Sequence, residues 1–222
     1  MQKMRINEIF AEVQASFIDW DGFFKDPNYS RTRQDVSWPN ASELVVPDEM
    51  TVGDLQRLSD GRQFSFRVSS DGSLIQMGYR FRRAGDIADA RLGFYKFPSG
   101  EDFGELTVEP VSGYGELDSV SWLRMDFSTN FQARVGHTPC HLHISGLPAV
   151  RFAVYGVPSP AQFVEFVISH FYTADYKRAR LSQDGTFESY QRVNTINARA
   201  TKTGLEPREL LHCLPHFFIP GN

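Results

Sequence analysis

The amino-acid sequence predicts an α+β protein, an antiparallel β-sheet with an N-terminal helix before it and C-terminal helices after it, packed on one face. Three observations predict this. Apolar residues recur at spacings of three and four near the N-terminus and again after Pro160, the period of an amphipathic helix. Between these stretches the period drops to two in several short segments bounded by turn formers, as in half-buried antiparallel strands. Nineteen Phe and three Trp in 222 residues supply a packed interior, since each buried aromatic removes on the order of 150–250 Å² from water. The expected organisation is a single domain over residues 1–222, with a helix and irregular segment over 1–60, the sheet over 61–155 and a helical part over 156–222.

From Met4 to Phe24, Ile6, Ile9, Phe10, Val13, Phe17, Ile18 and Trp20 define a helix that Asp21-Gly22 would end. Pro27, Pro39 and Pro47, with polar residues between them, predict irregular structure over 27–50. Thr51 is placed to cap a short helix over Val52 to Leu58, with Asp54 serving its first turn. Phe64, Phe66 and Val68 then alternate with Ser65 and Arg67, Ser70-Asp71-Gly72-Ser73 turns, and Leu74 to Phe81 runs back as a hairpin. Further strands are expected over Leu92 to Phe97, Glu105 to Val108, Trp122 to Phe127, within His137 to Gly146 with His141 to Ser145 extended, and over Val150 to Tyr155, giving a sheet of about six to eight strands. Ser159 caps the second long helix, Pro160 takes its first position, and Phe163, Phe166, Val167 and Phe171 follow at helical spacing. Lys177-Arg178-Ala179-Arg180 reads as a basic turn beyond it, and a last element, Glu209 to Ile219, carries His212, Cys213 and His216.

Charge and composition exclude several classes. The net charge of −4 opposes a protein that coats nucleic acid by bulk attraction. Residues 1–120 carry 13 basic and 20 acidic side chains, a net of −7, whereas residues 121–222 carry 10 and 7, a net of +3. The basic half also holds all six histidines and both cysteines, which favours an anionic ligand there. No apolar run approaches the roughly 18 residues of a membrane helix, and the N-terminus has no signal-peptide pattern, so a cytoplasmic protein with no membrane partner is expected. Glycine-rich nucleotide loops, a Gly-x-Ser-x-Gly elbow and a kinase signature are missing, which removes the enzyme classes tied to them.

The chemistry concentrates in His137-Thr-Pro-Cys140-His141-Leu-His143-Ile-Ser145-Gly146. On a strand, His141, His143 and Ser145 share one face while Leu142 and Ile144 point to the core. The neighbouring segments repeat the division. Leu123, Met125 and Phe127 lie opposite Arg124 and Asp126, and Val150, Phe152 and Val154 lie opposite Arg151. If the three strands adjoin, one face gathers Arg124, Asp126, His141, His143 and Arg151 as candidate catalytic residues. The helix after Pro160 should cover the apolar face and leave the histidine face open.

Two chemistries suit that set. Imidazoles near neutrality act as general acid and base while guanidiniums hold a phosphate, as phosphodiester cleavage on RNA or DNA requires. Alternatively, His137, His141, His143 and His216 supply ligands to a divalent transition metal, zinc or manganese, although their spacing matches no zinc finger or ribbon. A purely structural account pairs Asp126 with Arg124 or Arg151 and satisfies the histidines on backbone groups. His170, within the apolar helix, reads as a helix-face residue with a satisfied partner, and Cys140 as structural. The His-x-Ser at His143 to Ser145 resembles the motif of two-histidine phosphoesterases, but those carry it on two strands and one copy is present here.

From Trp122 to Tyr172, about a quarter of the chain, the order is Leu-Arg-Met-Asp-Phe, His-Thr-Pro-Cys-His-Leu-His-Ile-Ser-Gly, an arginine strand, then Pro-Ser-Pro-x-x-Phe-x-x-Phe-x-x-x-x-Phe-Tyr. This stretch resembles the domain of unknown function 2290 family of uncharacterised bacterial proteins. The resemblance implies a cytoplasmic bacterial protein without an established activity, with Arg124, Asp126, His137, His141, His143 and Arg151 as one unit and no role named for any. Families of this kind travel with phage-defence or toxin–antitoxin genes, an association of context. Two functions therefore stand as expectations. One is a nuclease-like phosphodiester-acting enzyme. The other is a non-catalytic component of a defence or toxin–antitoxin assembly, whose same face binds nucleic acid or a protein partner encoded nearby.

Overall fold

The structure, a computed structural model, describes residues 4–39, 41, 50–82, 85–97, 121–129, 140–147, 150–154 and 156–182. In chain order the elements are α1 (Ile6–Asp19), β1 (Phe24–Lys25), β2 (Ser30–Arg31), β3 (Asp35–Ser37), α2 (Val52–Asp60), β4 (Phe66–Val68), β5 (Leu74–Phe81), β6 (Ile87–Lys96), β7 (Ser121–Ser128), β8 (Cys140–Ile144), β9 (Phe152–Ala153), α3 (Pro160–Phe171) and α4 (Thr173–Ser182). Among the described residues the nine strands form one sheet in the order β1-β4-β5-β6-β7-β8-β9. Strand β3 pairs with β5 beside β4, and β2 pairs with β3. Every pairing is antiparallel, as the alternating pattern requires.

The local signals act where they were expected. Glu8 accepts the Arg5 N–H at 2.9 Å, satisfying one of the donors left over at the start of α1. Thr51 Oγ1 accepts from the Asp54 N–H at 3.1 Å while Asp54 Oδ2 accepts from the Thr51 N–H at 2.9 Å, a reciprocal cap that starts α2. Ser159 and Gln162 do the same for α3, with Pro160 in its first turn. Gly72 bends the β4–β5 hairpin at φ +79°, a conformation that costs glycine nothing.

Several boundaries differ from the expectation. Strands β2 and β3 lie inside residues 27–50, where irregular structure was expected, so the sheet draws on the first sixty residues as well. Segments of two or three residues are too short to display a period, and these are fixed by pairing with partners such as Arg80 and Tyr79. Strand β6 begins at Ile87, five residues before Leu92, because its first residues pair with Ser128, Phe127 and Asp126 although small and charged side chains hide the alternation. The basic run at 177–180 is helical, within α4, where Arg178 pairs with Asp175 at 3.1 Å. The strand expected over Glu105 to Val108 and the element over Glu209 to Ile219 lie outside the described residues.

Both faces of the sheet carry helices. On one, Phe66, Ile75, Met77, Phe94, Leu92, Leu123 and Leu142 pack with Ile9 and Val13 of α1 and Phe163, Val164, Val167 and Ile168 of α3. On the other, a smaller cluster joins Leu55 and Leu58 of α2 to Leu74, Tyr95 and Trp122. The N-terminal helix and the C-terminal α3 share a face as expected, and α2 adds cover to one end of the opposite face. Among the described residues no helix is long and apolar enough to cross a membrane.

The face assignment of β8 is testable by substitution. Leu142 is buried against the α1/α3 side, so Leu142→Asp places an unpaired charge in the core at a cost of several kcal/mol, out of a total near 5–15 kcal/mol. Ile18 is 69% exposed on α1, and Ile18→Lys should change stability by less than about 0.5 kcal/mol. Urea titration of both variants checks this; a tolerated Leu142→Asp would mean that the faces of β8 are reversed.

Candidate functional site

Pairing register builds the site. Because directly opposed residues share a face, the pairs Arg91↔Asp126 and Asp126↔His141 set Arg91, Asp126 and His141 in one row. The pairs Gly93↔Arg124 and Arg124↔His143 set the next row. Leu142 pairs with Phe152, so Arg151 stands one register step along, level with His143. The end row, Tyr95, Trp122 and Ser145, is closed by the Ser145 N–H donating to the Trp122 carbonyl at 2.9 Å and the Trp122 N–H donating to Ser145 Oγ at 3.1 Å.

At the centre is the Asp126 carboxylate. Arg124 Nε donates to its Oδ2 at 2.8 Å, Arg91 Nε donates to its Oδ1 at 3.1 Å, and His143 Nε2 lies 3.6 Å from Oδ2. The His141 and His143 rings meet edge to face with centroids 4.8 Å apart. The Arg124 guanidinium lies over the Trp122 ring at 5.8 Å, a cation–π contact that anchors it from the α2 side. One ligand atom from each of Asp126, His141 and His143 can be chosen so that all lie within 4.8 Å of one another, a possible metal-binding triad.

The histidine face is not open, contrary to the expectation. His141 is 8% exposed, His143 3% and Arg124 6%. Burial, reinforced by the nearby Arg124 guanidinium, pushes the His143 pKa down to about 4 against the opposing pull of Asp126. His143 is therefore a neutral imidazole near pH 7.

Of the five residues expected on this face, Arg124, Asp126, His141 and His143 converge on one cluster, and Arg151 lies exposed at its flank. Val150 and Phe152, expected to point inward, are 39% and 36% exposed at the sheet's last strand, while Val154 packs on the core. His137 and His216, expected as further metal ligands, lie outside the described residues, as do His212 and Cys213. Cys140 is buried and donates to the Gly156 carbonyl, and burial pushes its thiol up to about 12. His170 Nδ1 lies 2.8 Å from the Phe166 carbonyl. Arg80 is engaged by Asp35 and Asp89.

Sequence reading missed Arg91 and Tyr95. Arg91 falls in the part of β6 with no clear alternation, and its only available signal was a cross-strand charge match to Asp126. Tyr95 leans back over Gly93, where a Cβ would meet its ring atoms at 2.7–2.9 Å, and its hydroxyl donates to Gln76 Oε1 at 3.1 Å. The ring thus occupies the face beside Arg124's pairing partner, which only glycine at position 93 permits.

Fold and cluster together define an α+β protein with two histidines, an aspartate and arginines gathered on one face of an open antiparallel sheet. The chain belongs to the DUF2290 family, described as an uncharacterized conserved protein; the family model matches residues 23–205, a span that includes every strand of the sheet, every residue of the cluster and both α3 and α4. No curated protein and no solved structure matches the chain.

The buried imidazole makes stability sensitive to acid. The folded pKa of His143, about 4, lies below its ordinary 6.5, so the unfolded chain takes up the proton first. In chelator-treated protein the contribution is complete above about pH 6.5 and is lost as pH falls toward about 4, with a full extent on the order of 3 kcal/mol. Urea midpoints measured between about pH 6.5 and about pH 5 should fall in the parent and fall less in His143→Gln; identical slopes would remove His143 as the responsible group.

Proposed function

We propose that the chain is a cytoplasmic, nuclease-like enzyme acting on phosphodiesters, with a centre at which Asp126, His141 and His143 hold a divalent transition-metal ion, zinc or manganese. The carrying observation is the convergence of one carboxylate and two imidazoles to within 4.8 Å. Ligands sharing an ion through bonds of about 2.1 Å stand about 3.4 Å apart in a tetrahedron, so side-chain adjustments of about an ångström complete the set. His143 is already unprotonated at neutral pH, as a ligand must be. Three protein ligands leave a coordination position open, the pattern of catalytic rather than structural sites.

An ion bound there supplies Lewis-acid polarisation of a phosphoryl group. The protein's own residues do the rest. Arg124 and Arg91 hold the Asp126 carboxylate from its two oxygens, so its orientation is set before any ligand arrives. Arg151 faces solvent level with His143, where a guanidinium meets a substrate phosphate. A metal-free version, with His141 and His143 exchanging protons as acid and base, is less well supported, because an imidazole with a pKa of about 4 carries no proton to donate near pH 7.

Titrated with zinc or manganese, the protein should take up one ion per chain at saturation, measured by elemental analysis after equilibrium dialysis. His141→Ala and His143→Ala should each weaken metal affinity more than about 100-fold and abolish hydrolysis of bis(p-nitrophenyl) phosphate or a single-stranded oligonucleotide. Full activity in metal-free protein would overturn the metal reading.

A second reading is supported by exposed apolar residues beside the cluster. Leu147, Val150 and Phe152 are 44%, 39% and 36% exposed around the last strand of the sheet, on either side of Arg151. Such a rim suits a non-catalytic member of a phage-defence or toxin–antitoxin assembly that docks a protein or nucleic acid on this edge. Pull-down with the product of a neighbouring gene should then recover a complex that Arg151→Glu dissolves; an undiminished complex would dismiss this surface.

A further inference from the structure

The charges around the triad do not match a cation alone. Among the described residues, Arg91, Arg124 and Arg151 gather around a single carboxylate, Asp126. With both imidazoles neutral, as ligation demands, these three arginines and one aspartate sum to +2 before any ion enters. A divalent cation raises this to +4 in a setting dry enough to hold His143 and Arg124 almost wholly buried. Like charges repel more strongly where water is excluded, so the bare site opposes the ion its ligands suit.

Two of the three guanidiniums are placed to admit a counter-charge. Arg124 is spent on Asp126 and packed under Trp122. Arg91 uses Nε on Asp126, its side chain is 42% exposed, and its two terminal nitrogens have no partner among the described residues. Arg151 is exposed and likewise without a partner among them. Arg91 stands on β6 and Arg151 immediately before β9, about 16 Å apart across three interstrand spacings and one row of side chains, with the triad between them on β7 and β8.

We propose that Arg91 and Arg151 form an anion site for a phosphate group directly beside the Asp126/His141/His143 triad, and that metal and phosphate bind there cooperatively, each weakly alone and tightly together. The proposal rests on the metal reading above and adds the ligand that completes it. A phosphate dianion offsets the ion's charge in full, and its oxygens accept from the outward nitrogens of both arginines. The coupling is reciprocal, so phosphate raises metal affinity by the factor by which metal raises phosphate affinity.

The experiment uses the full chain, stripped by chelator, with Mn²⁺ as the metal and AMP or inorganic phosphate as the anion. Free Mn²⁺ is followed by electron paramagnetic resonance. The expected result is at least a tenfold tighter Mn²⁺ Kd at saturating AMP, a similar effect with inorganic phosphate, and an equal gain in AMP affinity at saturating Mn²⁺. In Arg91→Gln/Arg151→Gln the coupling should vanish while Mn²⁺ without anion binds more tightly than in the parent. Should the double variant lose its folded baseline, Arg151→Gln alone, at a position with no partner among the described residues, should still reduce the coupling severalfold. Equal Mn²⁺ affinity with and without either anion, or coupling that survives the substitutions, overturns the anion site and leaves the metal reading standing. Failure of Mn²⁺ to bind under any of these conditions overturns both. An effect with AMP and none with inorganic phosphate also overturns it, since the phosphate group would then not be what the arginines recognise.

Discussion

Because Asp126 stands opposite Arg91 on one side and His141 on the other, a slip of one residue in either pairing would send its carboxylate to the α1/α3 face and leave the guanidiniums unmatched. Register in a sheet is set where one face is buried, since a one-residue shift exchanges every side chain between faces. Here both faces enforce it. Leu92, Phe94, Leu123 and Leu142 can meet α1 and α3 only in this register, and Tyr95 and Trp122 can meet α2 only in the same one. The cluster around Asp126 is held in place from below and from its flank by packing that has no part in its chemistry.

At the α2-covered end of the sheet, buried polar groups are linked by hydrogen bonds. Trp38 Nε1 donates to Gln63 Oε1 at 2.8 Å, Gln76 Nε2 donates to the Gln63 carbonyl at 2.6 Å, and Tyr95 donates to Gln76. Polar groups out of water must be paired, and a chain of paired ones specifies a single arrangement. This network runs up to Gly93, the pairing partner of Arg124, and holds the Tyr95 ring that lies over it. A buried guanidinium backed by an indole can aim a carboxylate in a way that a surface arginine cannot.

Legibility in the sequence followed the length and regularity of each signal. Helices α1 and α3, the caps at Thr51 and Ser159, and the two-faced strands β7 and β8 were readable because several residues in each repeat one period or one capping pattern. The convergence of Arg124, Asp126, His141 and His143 followed from alternation and adjacency alone. What could not be read depended on distant partners. Strands β2 and β3 are set by pairing with each other and with β5, Arg91 acquires its meaning from Asp126 35 positions on, and the burial of the histidines is a property of the folded surroundings. Alternation says which face a side chain takes; it does not say whether that face is dry.

Dryness changes what the cluster can do. An open histidine face would leave its imidazoles free to take up protons near neutrality, whereas a buried one beside Arg124 keeps His143 a neutral base. Asp126, partly buried beside the imidazoles, would be costly to leave unpaired, and two guanidiniums offset that cost. The arginines on this face divide accordingly. Arg80 is tied to Asp35 and Asp89, Arg124 is committed to Asp126 in the interior, and Arg91 shares Asp126 while extending toward solvent. Arg151 waits at the rim. Among the described residues the face thus grades from an apolar end under α2, through the Asp126, His141 and His143 cluster, to exposed cations, so a ligand approaching past Arg151 would meet positive charge before the imidazoles.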